Sequence, residues 1–212
     1  MASQIHYIKE VLNKNLLWTS DTIELPTINI GKILSLKSDW IEDLMEDLDG
    51  IGTPRSFRKP DLQCEDTFIM FNDAKYFNKY RSLTFRSELY DDFDKIKIDH
   101  YRRFCRSNEN KCLAAASAGE MWTNQLSEKY FGLSQSNGDL GLAGSSAWKL
   151  RAYEDYLWDL IAHEYDFKVI YVSIYDLIMI DNQLIPIEKL TLSQNEESTK
   201  YLWNYLKRLL GR

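Results

Sequence analysis

A chain of 212 residues with 44% hydrophobic and 27% charged side chains has ordinary globular composition and can bury a sizeable core. Its net charge of −6 and sequence pI near 5.2 exclude an indiscriminate nucleic-acid binder, so any phosphate recognition must come from a local basic surface. No stretch reaches the length of a membrane-spanning helix, and no basic region followed by an apolar run marks a signal peptide. Cys64, Cys105 and Cys112 show no CxxC spacing, so the expectation is a cytoplasmic protein without zinc.

The first fifty residues read as helical and acidic. Apolar residues recur at helical spacing over residues 5–17, and Leu25-Pro26 breaks the pattern. Asn29 is placed to cap a short helix ending at Leu36, and Ser38 to cap a second over residues 39–48, which stops at Gly50. Trp40, Ile41, Leu44, Met45 and Leu48 form the apolar stripe of that second helix; Glu42, Asp43, Glu46 and Asp47 make its other face negative. Residues 50–59, with Gly52, Pro54 and Ser56, are loop.

Residues 62–64 form a short strand, Glu65-Asp66 a turn, and residues 67–72 a strand rich in β-formers. Helices follow over 94–107, 109–118 and 120–130. Residues 134–146 hold three glycines but no phosphate-loop spelling and read as a mobile loop over a groove or a simple connector. Ser145 or Ser146 caps a long helix from Ala147 to about Tyr165, whose apolar face (Leu150, Tyr153, Leu157, Ile161) is expected to pack on a sheet. Residues 167–174 are the clearest strand, and Asp181-Asn182-Gln183 joins a small hairpin. A final helix over 196–210 starts with acids and ends with Lys207-Arg208, in accord with the helix dipole. The expected organisation is one α/β domain over 1–212: a helical part at 1–50, a core at 59–175, and a hairpin with a C-terminal helix at 176–212.

The constellation able to carry chemistry is Pro60-Asp61 followed by Asp73-Ala74-Lys75. Strand alternation, continued past the apolar run, sets Ile69, Phe71, Asp73 and Lys75 on one face, and a tight turn at 64–67 brings Asp61 back toward Asp73. Two carboxylates of this kind suit a hard divalent cation. Asp61 and Asp73 read equally as solvated residues at a strand start and a strand end. Arg55, Arg58 and Lys59 precede Asp61, and Lys79 and Arg81 follow Asp73; with Lys149 and Arg151 on the long helix they are the candidate nucleic-acid contacts. Solvent-exposed cations balancing the abundant acids are the plainer alternative.

The spelling P-D, spacer, D-x-K resembles the signature of the PD-(D/E)xK nucleases, the restriction-endonuclease-like superfamily. That resemblance implies an α/β fold: a restriction-endonuclease-like core sheet flanked by helices, with added N-terminal and C-terminal helices. It implies that Asp61 and Asp73 bind magnesium, with manganese as a substitute, and that Lys75 serves the attacking water as a DNA phosphodiester is hydrolysed. Many such nucleases act as dimers so that both strands are cut, and a helix before the motif often adds a carboxylate, here Glu42 or Glu46.

A second resemblance covers about residues 59–155. The run from Asn72 to Phe85 and the helix Trp148-Lys149-Leu150-Arg151-Ala152-Tyr153-Glu154-Asp155 are similar to a little-characterised bacterial family related to very-short-patch-repair nucleases. In that register Met70 and Asn72 stand where the pattern has acids, and Tyr76 where it has a histidine-like position. The site would then be eroded, which implies a catalytically inactive nuclease-fold binding or interaction protein, of a mobile-element or defence locus. The two registers put opposite faces of one strand on the site, so they exclude each other.

Overall fold

In chain order the helices of the computed structural model are α1 (Gln4–Lys14), α2 (Ile30–Leu36), α3 (Ser38–Asp47), α4 (Lys79–Thr84), α5 (Lys95–Ser107), α6 (Glu109–Ala116), α7 (Gln125–Phe131), α8 (Ser146–Glu164), α9 (Ile187–Ser193) and α10 (Glu196–Leu209). The strands are β1 (Thr19–Ser20), β2 (Leu62–Cys64), β3 (Thr67–Asn72), β4 (Val169–Ser173), β5 (Leu177–Ile180) and β6 (Gln183–Pro186). The structure describes residues 4–15, 17, 19–20 and 22–212. The fold is mixed α/β, and no described helix is long and apolar enough to cross a membrane. Two compact units emerge, one from residues 1–26, 59–73 and 166–212, the other from 27–58 and 74–165. The stretch 59–175, expected as one core, contributes to both.

The first unit holds all the strands. β2 and β3 form the expected antiparallel pair, with Leu62 opposite Ile69 and Cys64 opposite Thr67, and the turn between them places Glu65 at φ 54°. β1, which was not expected, pairs antiparallel with β2. β4 lies parallel to β3, with Phe68 beside Val169 and Asn72 beside Ser173. A strand that returns parallel to its neighbour needs a long crossover, and here the chain from 74 to 165 supplies it. Every residue of β3 is buried, as expected for a strand with neighbours on both edges.

At the end of β4, Asp176 accepts the Ser173 N–H at 2.9 Å and the Tyr205 hydroxyl at 2.6 Å, which ties the sheet to α10. Gln4 and Tyr7 of α1 bond to Thr191 and Thr199, tying α1 to α9 and α10. α1 stops at Lys14; Leu16, in its expected continuation, lies outside the described residues. β5 and β6 form the expected hairpin, with Asp181 and Asn182 both at positive φ (45° and 64°), the signature of a type I′ turn. Leu177, Met179 and Leu184 face outward from this ribbon.

The second unit is helical. Asn29 caps α2 by accepting the Lys32 N–H at 2.9 Å. Ser38, however, is no cap: it is the first residue of α3, because Lys37 alone joins α2 to α3 and leaves no extended residue to present a side chain backwards. The helix expected over 120–130 is split. A short 3-10 turn covers Gly119–Met121, and α7 starts only after Asn124, which accepts the Ser127 N–H while the Ser127 hydroxyl accepts the Asn124 N–H. Ser145 caps α8 through the Trp148 N–H.

α8 is buried around most of its circumference rather than along one stripe, and within its own unit it packs on α2, α4 and α7. Its polar residues Lys149, Asp155 and Asp159 are buried with the rest. The chain enters α8 at Gly144, whose φ of 62° is left-handed and whose Cβ, if present, would overlap the Tyr80 hydroxyl. That hydroxyl accepts the Ser145 N–H at 3.2 Å. Gly144→Ala therefore combines backbone strain with a clash, and a loss of about 2–4 kcal/mol is expected in urea denaturation. A wild-type midpoint would contradict this packing.

Candidate functional site

Asp61 closes the β2–β3 ladder. Its N–H bonds the Ile69 carbonyl at 3.0 Å, and its Oδ2 accepts the Phe71 N–H at 2.8 Å, where the next rung would offer a backbone carbonyl. The rung Leu62↔Ile69 puts Ile69 and Phe71 on one face of β3. Asp61 lies just before β2, and its bond to the Ile69 carbonyl is one residue out of the Leu62↔Ile69 register, so strand alternation does not assign it a face. Asp73 follows the end of β3.

Lys75 does not extend the strand. β3 ends at Asn72, and Ala74–Tyr76 is a 3-10 turn, so the alternation that was to set Lys75 beside Asp73 is broken. Lys75 belongs to the helical unit, whereas Asp61 and Asp73 belong to the other. Among the described residues, no group of three or more His, Cys, Asp or Glu stands together as a metal cluster. Met70 and Asn72, where the second resemblance has acids, offer a thioether that suits a hard cation poorly and a neutral amide that binds one more weakly than a carboxylate. Glu42 and Glu46 are exposed on α3, in the helical unit.

Three of the candidate phosphate contacts are withdrawn from solvent. Arg81 is buried, with its guanidinium 2.7 Å from Asp159 and 3.1 Å from the Tyr90 hydroxyl, which donates to the same carboxylate at 2.6 Å. Burial works against the Arg81 charge, but Tyr90 and Asp159 outweigh it and hold the guanidinium well above its ordinary value. Lys149 is only 2% exposed, and its ammonium reaches Asp49 at 3.0 Å. Arg58 is buried too, 3.4 Å from Asp155. In each case the sequence shows the charge but not the acid, distant in the chain, that draws it inward. Lys79 is half-buried and donates to the Leu140 carbonyl. Arg55, Lys59 and Arg151 remain exposed.

One cluster brings together residues that the second resemblance had singled out separately. Tyr76 lies between two guanidinium groups, with Arg58 3.9 Å and Arg151 4.8 Å from its ring centroid. Arg151 also bonds the Tyr76 hydroxyl, and Asp155 faces both arginines. Burial works against the Arg151 charge, but Asp155 and Tyr76 outweigh it and hold the guanidinium above its ordinary value. Next to Asp155, burial pushes the Glu154 carboxyl up despite the pull of Arg151. Sequence spacing could not pair Tyr76 with Arg58, because the contact joins a loop to a turn.

Two outcomes follow. Asp159→Ala would strand a buried guanidinium, and a loss of about 3–5 kcal/mol is expected in chemical denaturation; a loss under about 1 kcal/mol would mean that Arg81 reaches water. For Glu154, a raised folded pKa means that its contribution to stability is fully present below the unfolded pKa and is lost as pH rises through the folded pKa. Glu154→Gln is therefore expected to exceed wild type in Tm at neutral pH, with the difference closing below about pH 4. A difference independent of pH would count against a desolvated Glu154 carboxylate.

No curated protein and no solved structure matches the chain. A family model described as a family of unknown function matches residues 43–193, from within α3 to the end of α9. This match takes in most of the helical unit and about half of the other, and the chain belongs to that family, DUF7255.

Proposed function

We propose that this chain is a binding protein on a restriction-endonuclease-like α/β core that holds DNA without hydrolysing it. The observation that carries the non-hydrolytic reading is the end of β3 at Asn72: the 3-10 turn over Ala74–Tyr76 breaks the alternation that was to set Lys75 beside Asp73. In the other register Met70 and Asn72 stand where acids were expected, a soft and a neutral side chain in place of carboxylates. What supports the nuclease-like core is the arrangement of the strands: an antiparallel pair with Asp61 just before it and Asp73 just after it, then a crossover returning as a parallel neighbour of β3. The contacts proposed for the DNA backbone are those of the exposed Arg55, Lys59 and Arg151.

A second reading is a magnesium-dependent DNA hydrolase using Asp61, Asp73 and Lys75. It is favoured by Pro60-Asp61 directly before β2 and Asp73 directly after the end of β3. The two readings separate in one pair of measurements. On the first, magnesium or manganese leaves Tm unchanged within about 1 °C, and single- and double-stranded DNA are bound but stay intact. DNA cleavage that Asp73→Ala or Lys75→Ala abolishes would replace the first reading with the second.

A further inference from the structure

The helical unit contains a cavity of about 440 Å³, within the range of small-molecule sites. Its apolar side is formed by Tyr80, Leu83 and Cys105, and Leu142 stands at the edge. Several charges on its wall are already committed. Lys79 donates its ammonium to the Leu140 carbonyl and its backbone N–H to Glu109 at 2.6 Å, and Asp49 holds Lys149. Three are not. Arg86, Arg106 and Asp47 are exposed, and among the described residues their side chains make no hydrogen bond or ion pair.

The wall therefore presents two free guanidinium groups and one free carboxylate beside an apolar surface. Asp47 would repel a simple anion, and the two arginines a simple cation. A molecule carrying both charges satisfies all three. Guanidinium groups bind a carboxylate or phosphate through paired N–H donors, and Asp47 accepts from an ammonium.

Leu142 adds an independent observation. It is 93% exposed and sits at φ 44°, a left-handed conformation unfavourable for a branched side chain. The loop is anchored on both sides of it, by Lys79 at the Leu140 carbonyl and by the Tyr80 hydroxyl at the Ser145 N–H, 3.2 Å. The anchored loop thus holds an apolar side chain out at the cavity edge, where a bound molecule would cover it.

We propose that this cavity binds a small zwitterion, an α-amino acid or an amine-bearing phosphate ester, with its anionic group on Arg86 and Arg106, its ammonium on Asp47 and its apolar part against Tyr80 and Leu142. The site lies wholly in the helical unit and does not rest on the DNA-binding reading.

The experiment is a thermal-shift screen of the full chain with free α-amino acids and phosphoethanolamine, using inorganic phosphate and acetate as anion-only probes and ethylamine as the cation-only probe. The expected result is a concentration-dependent rise in Tm with at least one zwitterion and none with the single-charge probes. Titration should then give an affinity lowered about tenfold or more in Arg106→Ala and in Asp47→Ala, each the loss of one charge-assisted contact. Both positions are exposed, so the ligand-free Tm of the variants should match wild type. The proposal is overturned if no zwitterion raises Tm. It is equally overturned if inorganic phosphate or acetate binds as well as the zwitterion and Asp47→Ala leaves that binding intact.

Discussion

A helix that buries charge on several sides constrains everything packed around it. α8 carries Lys149, Asp155 and Asp159 into the interior, and an uncompensated charge there would cost several kcal/mol. Each is met by a partner from a different part of the chain: Asp49 beyond α3, Arg58 in the following loop, and Arg81 in α4. These pairs fix where two loop residues and α4 meet the helix, and Tyr90 adds a hydroxyl to the Asp159 carboxylate. Replacing such pairs by apolar side chains of the same volume can be neutral for stability, so their contribution lies as much in register as in energy.

That constraint also decides which cations are free for a ligand. Read along the chain, Arg58, Arg81 and Lys149 are indistinguishable from Arg55, Lys59 and Arg151. In the folded protein the first three are buried, each against an acid, while Arg55 and Lys59 face solvent and Arg151 is exposed at one side of the Tyr76–Asp155 cluster. Nothing local separates the two groups, because the deciding acids lie about 70 to 100 residues away.

Much of the secondary structure was legible for local reasons. The β2–β3 hairpin, the β5–β6 hairpin, the Asn29 and Ser145 caps and the acidic start of α10 are written in neighbouring residues. The misreadings arose where a local signal met a tertiary demand. Ser38 has the chemistry of a cap but not the extended backbone, and the helical spacing that continues past Glu120 yields to the capping box at Asn124. The D-x-K motif was legible as spelling, but alternation holds only while the strand lasts. β3 ends at Asn72, and with it ends the argument that placed Lys75.

The parallel pairing of β3 with β4 has a kinetic side. β3 finishes at Asn72 and β4 begins at Val169, so the rung between them closes a loop that contains most of the helical unit. Closing it from an unfolded chain carries a large entropic penalty, whereas the helices between can organise through short-range contacts. Once those helices have condensed, the ends of the excursion are less free and the remaining penalty shrinks. The sheet edge is thus expected to zip up late, which leaves β3 waiting with one unpaired side while the middle of the polypeptide takes shape.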